Sequence, residues 1–295
     1  ISFAILLCAS SVFAEPVQRI HQIKSPLLSD PVFVKPGEAL NITLDTGSKG
    51  APVSSLLSGV PDAGKKVGLT FGGVAINGSL SSGTYSAIVP VDAAEGLYDL
   101  TVTFADGTSD TQPHSVAVVR EFKSDFDFVQ LTDIHFNLSR VSNNDRVALL
   151  HDIDKAAPAF VVFSGDVGLN PETHDVDYRT SYEFFQKELF VPLFMTPGNH
   201  ELYADPKRNQ PTGRQYWAMT YGPEYNSFDY GPLHVVGVNS FDWPDALLDR
   251  WNPEVEKLRL SDHACIGDAQ WEWLKKDLDA AAAAGRSSVI YTHVP

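Results

Sequence analysis

Cysteine is scarce in this sequence: Cys8 and Cys265 are the only two among 295 residues. Cys8 lies in a segment read below as a signal peptide, which leaves Cys265 with no intramolecular partner and excludes a disulfide framework. Basic residues are also few, 22 Lys and Arg against 37 Asp and Glu, for a formal charge of -15. An acidic surface repels polyanions, and no Lys/Arg stripe interrupts it, so long nucleic acid is excluded as the expected partner. No apolar run is long enough to make a good membrane span. Internal repeats are absent, and the one low-complexity stretch, Ala280–Ala284, falls inside an expected helix.

What is present divides the chain. Ile1–Ala14 is an apolar run closing on small residues ahead of Glu15-Pro16. That is the h-region and cleavage site of a secretory signal, so residues 1–14 read as a signal peptide and the protein as exported, periplasmic or extracellular. No initiator Met or basic n-region precedes it, and the reading is of a chain truncated at its start. Glu15–Asp30 reads as an extended leader. Pro31–Phe122 has an all-β texture, with candidate strands Val32–Val34, Ala39–Leu44, Val67–Ile76, Tyr85–Val91, Leu97–Phe104 and Ser115–Phe122. Tyr98–Phe104 alternates apolar with polar residues, and Pro36-Gly37, Asn77-Gly78, Glu95-Gly96 and Asp106-Gly107 mark turns. A β-sandwich over 31–122 is the expectation. Without a Cys…Trp…Cys pattern, "immunoglobulin-like" describes its shape only. The texture changes across Glu121–Asp125, the expected linker.

From Phe126 to Pro295 apolar strands alternate with helical patterns, which means α/β. One helix is expected from Asn143 or Asn144 to about Ala157, with Val147, Leu150, Ile153 and Ala157 inward. A second covers Val176–Leu189. A third is capped by Asp268, turns Trp271, Leu274, Leu278 and Ala281 inward, and ends at Gly285. His174, Asp175 and Asp177 read as a solvated acidic stretch, and Tyr216, Trp217 and Tyr221 as packing aromatics.

Four apolar runs in this region end on residues that favour divalent metal. Phe126–Thr132 leads into Asp133-Ile134-His135, Ala159–Ser164 into Gly165-Asp166, Val191–Thr196 into Pro197-Gly198-Asn199-His200-Glu201, and Ser287–Thr292 into His293. In α/β proteins ligands bind beyond the carboxyl ends of strands. The expectation is that all four ends meet at one edge of one sheet. Asp133 and His135, two apart in an extended segment, would point the same way. Gly165 permits a sharp turn, Asp166 has two oxygens with which to bridge two cations, Asn199 offers a carbonyl oxygen and His293 an imidazole. This donor set suits Mn, Zn or Fe. Two metals about 3.5–4 Å apart would clamp the attacking and leaving oxygens of a displacement. His200, beside Asn199, would face substrate as a general acid or charge stabiliser. A lone Asp-x-His or Gly-Asp is an ordinary turn; the order of all four motifs carries the reading.

These motifs resemble the calcineurin-like metallophosphoesterase family from Phe126 onward, and Gly267–Leu274 is similar to that family's helix before its last strand. The resemblance implies a second β-sandwich, flanked by helices. It also implies a dinuclear site with Asp133 and His135 on one metal, Asp166 bridging, Asn199 and His293 on the other, and His200 catalytic. The family's downstream Gly-His-x-His motif does not follow His293 before Pro295, which reads as truncation at that end too. Purple acid phosphatases use Asp-x-Gly and Gly-Asp-x-x-Tyr, whereas His135 and Leu169 stand at those Gly and Tyr positions, against a purple di-iron centre. The expected activity is hydrolysis of a small phosphate ester. Two alternatives remain: a phosphodiesterase acting on cyclic nucleotides or phospholipid headgroups, and a secreted binding protein with a degenerate phosphoesterase domain.

Overall fold

The computed structural model describes residues 18–60, 74–76, 78–136, 138, 141–168, 173–204, 213–249 and 263–294. The signal-peptide segment 1–14, most of the expected strand over 67–76 and Leu169 lie outside the described residues.

Among the described residues, the first part forms nine strands. They are β1 (Ile23–Ser25), β2 (Val32–Val34), β3 (Ala39–Leu44), β4 (Pro52–Gly59), β5 (Val74–Ile76), β6 (Gly78–Ser81), β7 (Thr84–Ile88), β8 (Gly96–Phe104) and β9 (Ser109–Val118). They make a four-stranded sheet, β1-β3-β7-β6, and a five-stranded sheet, β2-β9-β8-β4-β5. Leu100, Val102 and Phe104 of β8 join Leu40 and Ile42 of β3 and Tyr85 and Ala87 of β7 in one core, while Thr101 and Thr103 face outward. Each fully buried side chain of the larger aliphatic or aromatic kind contributes about 1.5–3 kcal/mol.

The expected leader is only partly a leader. Ile23–Ser25 pairs with β3, and the Asp110 carboxylate accepts the backbone N–H groups of Gln22 and Ile23 at 2.8 and 2.7 Å. Leu28 is buried in the core of the following part of the chain, and the Ser29 carbonyl accepts from the Met195 N–H at 2.9 Å. A strand of three residues gives little periodicity to read; its partner and a distant aspartate hold it.

The second part contains β10 (Val129–Leu131), α1 (Asn143–Ala156), β11 (Val161–Phe163), α2 (His174–Glu188), β12 (Leu193–Met195), α3 (Asn199–Leu202), α4 (Gly213–Thr220), β13 (Asn226–Tyr230), β14 (Leu233–Val238), α5 (Asp268–Ala283) and β15 (Ser287–Thr292). Strands β10-β11-β12 form one parallel sheet, and β13-β14-β15 form another, with β13 antiparallel to β14. Period-2 alternation assigns the two faces. Val161, Phe163, Leu193 and Met195 pack with α1, α2 and α4, whereas Phe160, Val162 and Phe194 meet Tyr230, Val235 and Tyr291 of the second sheet. Val236 and Val238 turn the other way, onto Leu274 of α5. The layers therefore run helix, sheet, sheet, helix. A strand covered on both faces reads as a continuous apolar run, as Ala159–Phe163 does.

Local details differ from expectation. Helix α1 is capped one residue earlier, by Ser142, whose hydroxyl accepts from Asp145 N–H while the Asp145 carboxylate accepts from Ser142 N–H. Ala157 is exposed, because it takes a left-handed φ of 48° and ends the helix. Gly267, not Asp268, is the cap of α5. Trp271 points outward, 48% exposed, because Gln270, Leu274 and Ala281 define the buried face. His174 and Asp177 are buried in the first turn of α2 rather than solvated. Tyr216, Trp217 and Tyr221 are core aromatics.

The two parts share apolar contacts. The Phe33 ring of β2 lies 5.2–6.4 Å from those of Phe122, Phe160, Phe194, Phe228 and Tyr230. Cys265 is a free thiol. No described helix is long and apolar enough to cross a membrane.

Candidate metal centre

Three of the four motifs follow β10, β11 and β12, as the strand ends require. The fourth does not share their sheet: His293 follows β15, in the second sheet. The site therefore sits where the carboxyl ends of two sheets meet, since His293, following β15, brings its Nε2 to 3.5 Å from Asp166 Oδ1 and 3.0 Å from Asn199 Oδ1.

The Asp133–His135 segment is not extended. β10 stops at Leu131, and Asp133 and His135 have φ of 58° and 44°. Their N–H groups donate to the carbonyls of Gly165 and Asp166, both at 3.0 Å, so this loop is stitched to the next motif. The side chains converge through these left-handed turns: Asp133 Oδ1 lies 3.6 Å from His135 Nε2. Gly165 has φ of 102°, and a Cβ there would sit 2.1 Å from the Gly198 nitrogen. A Cβ on Gly198 would meet Asp166 Oδ1 at 2.3 Å. Two glycines thus allow the second and third motifs to touch.

Asp166, 3% exposed, is the centre. Its Oδ2 lies 3.5 Å from His135 Nε2 and 3.8 Å from His200 Nε2; its Oδ1 lies 3.5 Å from His293 Nε2 and accepts the His200 N–H at 3.2 Å. Two groups of potential donors share it, His135–Asp166–His200 and Asp133–Asp166–His293. The structure thus places Asp133 near His293 as well as near His135, and brings His200 to the donor atoms instead of setting it apart. Asn199 Oδ1 lies 3.0 Å from His293 Nε2. All six residues singled out from sequence, Asp133, His135, Asp166, Asn199, His200 and His293, meet here.

Outer partners aim these donors inward. His135 Nδ1 lies 2.6 Å from the Gly168 carbonyl; donating there leaves the Nε2 lone pair toward Asp166. Asn199 Nδ2 donates to the Tyr203 hydroxyl at 2.9 Å, which turns Oδ1 to the site. An ensemble of imidazole lone pairs, carboxylates and one amide oxygen, oriented by outer hydrogen bonds, fits divalent metal. The titration pattern agrees. The His135 imidazole holds the Asp133 carboxyl down at about 2. Burial pulls His293 down, but its hydrogen bond to Asp166 and that carboxylate's charge prevail and raise it to about 9. Concentrated negative charge that favours cations is what a metal site provides before any ion binds.

Two residues escaped sequence reasoning. Glu201, fully buried, accepts from the N–H groups of Asp166 at 2.6 Å, Gly198 at 2.8 Å and Gly168 at 2.9 Å. It knits the second and third motifs together; burial, then the Asp166 charge, raises its carboxyl to about 7. Its place within the Gly198–Glu201 motif was the available signal. Tyr203, four residues after Asn199 and immediately past the end of α3, had only that spacing to mark it.

Comparison with known proteins extends the picture. No curated protein matches the chain. Among solved structures, purple acid phosphatase PPD1 from yellow lupin (Lupinus luteus) seeds is 14% identical, over 86% of this chain and 48% of that one, with a TM-score of 0.42. The mixed-linkage glucan utilization locus protein SGBP-B of Bacteroides ovatus is 16% identical over 34% of this chain and 23% of that one, with a TM-score of 0.21. The chain therefore spans about half the length of the first and a quarter of the second. Residues 126–295 match the model of the Calcineurin-like phosphoesterase family. The chain belongs to the calcineurin-like phosphoesterase family.

Proposed function

We propose that this chain hydrolyses small phosphate esters at a site for two divalent ions, Mn, Zn or Fe, held by Asp133, His135, Asp166, Asn199 and His293. The observation that carries this reading is the Asp166 carboxylate, whose two oxygens face different histidines: Oδ2 lies 3.5 Å from His135 Nε2, and Oδ1 lies 3.5 Å from His293 Nε2. Bound there, divalent ions would supply Lewis acidity and an acidified water. The protein's own part is orientation and proton transfer. Glu201 and Tyr203 hold the donor loops, and His200 carries a proton on Nε2 for the leaving-group oxygen as its bond to phosphorus breaks.

A second role for His200 is favoured by one distance. Its Nε2 lies 3.8 Å from Asp166 Oδ2, close enough to join the donor set. Metal content and phosphate release from an aryl phosphate, measured on Asp166→Asn and His200→Ala, test both. Loss of turnover with two metals retained in His200→Ala supports the proton-donor role; loss of a metal makes His200 a ligand; unchanged turnover in both variants sinks the reading. We further propose that the protein is exported, on the strength of the apolar, small-residue-ended segment 1–14. The two-sheet region ahead of residue 122 is, in this reading, a separate immunoglobulin-like β-sandwich domain.

A further inference from the structure

A buried arginine grips the loop that carries Asp133 and His135, and the chemistry proposed above makes no use of it. Arg146 stands in the first turns of α1 and is 3% exposed. Its Nε donates to the Ile134 carbonyl at 3.2 Å and its Nη2 to the His135 carbonyl. Its Nη1 donates to the Val141 carbonyl and to Asn143 Oδ1, both at 3.0 Å. The guanidinium carbon lies 5.2 Å from the centre of the Phe136 ring. Every one of these partners is neutral, and the adjacent Asp145 carboxylate offsets only part of what burial costs the guanidinium. A charge buried among neutral groups is costly unless its donors are satisfied, and the planar five-donor fork of arginine makes that possible.

The peptide groups it holds flank His135. With Asp133 at φ 58° and His135 at φ 44°, the loop contains two left-handed residues separated by Ile134, each costing roughly 1–2 kcal/mol for an L-residue. Such conformations persist only where the surroundings over-determine them. Here the N–H groups of Asp133 and His135 are taken by Gly165 and Asp166, the Ile134 carbonyl by Arg146, and the His135 carbonyl by Arg146 together with the Leu138 N–H at 3.0 Å. The loop is clamped from both sides, one clamp coming from the second motif and the other from α1.

We propose that Arg146 is a positioning residue for the metal centre: its fork fixes the left-handed loop so that the Asp133 carboxylate and His135 Nε2 face Asp166. This rests on the metal reading above. It gives a buried helix residue, which holds backbone carbonyls and Asn143, a share in metal affinity. A merely structural arginine would affect melting and leave the metal's surroundings alone.

Co²⁺ titration of the metal-free full chain, followed by visible absorption, tests it on wild type, Arg146→Met and Arg146→Lys, with metal-free melting recorded in parallel. The expected result is that Arg146→Met binds cobalt about 10- to 100-fold more weakly, the usual effect of removing an outer-shell partner, with altered cobalt bands. Arg146→Lys, which keeps the charge and loses the fork, should fall between. Wild-type affinity and an unchanged spectrum in both variants would overturn the proposal, whatever their melting temperatures. If Arg146→Met does not fold, the lysine variant decides by the same criterion. A wild-type chain that takes up no cobalt overturns the metal reading itself, and this proposal with it, so the two failures are told apart.

Discussion

Asn199 and Tyr203 form a hydrogen bond of 2.9 Å, Nδ2 to hydroxyl, that decides which end of the Asn199 amide faces the candidate metal centre. Tyr203 is itself buried, so its hydroxyl is held in place. Replacing it by phenylalanine leaves the amide free to turn. Tyr203→Phe is expected to lower metal affinity about 10- to 100-fold while the melting temperature of the metal-free chain moves little. Isothermal titration with Mn²⁺ reads the change, and equal affinities would remove Tyr203 from the site's support.

Glu201 holds two motif loops by accepting three backbone N–H groups in a fully buried position. Its truncation to alanine strands those donors away from water, at about 1–3 kcal/mol each. Glu201→Ala should lose about 3 kcal/mol or more in urea unfolding. Glu201→Gln, which keeps one acceptor oxygen, should lose less. Equal stability of the alanine variant and wild type contradicts the role assigned to Glu201.

Phe33 joins the N-terminal sheets to the second part of the chain through five aromatic neighbours. Aromatic packing of this kind between the two parts predicts one cooperative transition for both. Phe33→Ala removes the joining ring, and a loss of about 2–3 kcal/mol is expected, below the full cost of a wholly buried phenylalanine. Differential scanning calorimetry should show a single peak in wild type and two in the variant. Two peaks in wild type refute the coupling.

Asp30, which is outside the donor set, gives the protein a further pH dependence. Burial raises its carboxyl from the ordinary 3.8 to about 7. Between those values the unfolded chain has released the proton and the folded chain still binds it. The unfolded state therefore binds fewer protons, and stability falls as pH rises from about 4 to about 7, by at most about 1.4 kcal/mol per unit. Above pH 7 this contribution is constant. Asp30→Asn should flatten the slope, as read from chemical denaturation at pH 4.5, 5.5 and 6.5. An identical slope in the variant assigns the dependence to other groups.

The fold class was legible because periodicity is local. The alternation of Tyr98–Phe104 and the doubly apolar run Ala159–Phe163 each announced their burial, and both are buried as their patterns require. Helix faces were less secure at their ends. Trp271 and Ala157 had apolar character, but the buried stripe of α5 runs through Gln270, and the left-handed turn at Ala157 takes it off α1. Strand β1 was unreadable because three residues carry no period and its anchor, Asp110, is 87 positions from Ile23.

The sequence by itself determined which residues meet at the site. Motif order and strand-end placement follow from chemistry and from short-range pattern, and Asp133, His135, Asp166, Asn199, His200 and His293 do converge. Only the tertiary structure decided how they converge. His293 arrives from a second sheet, Asp133 and His135 turn through left-handed conformations, and Glu201, Tyr203 and Arg146 hold the donors from outside. The physical reason is that hydrogen bonds between a buried side chain and a distant backbone have no signature in local periodicity. They exist only once the layers have packed and brought α1, α3 and the strand ends within about 3 Å of one another.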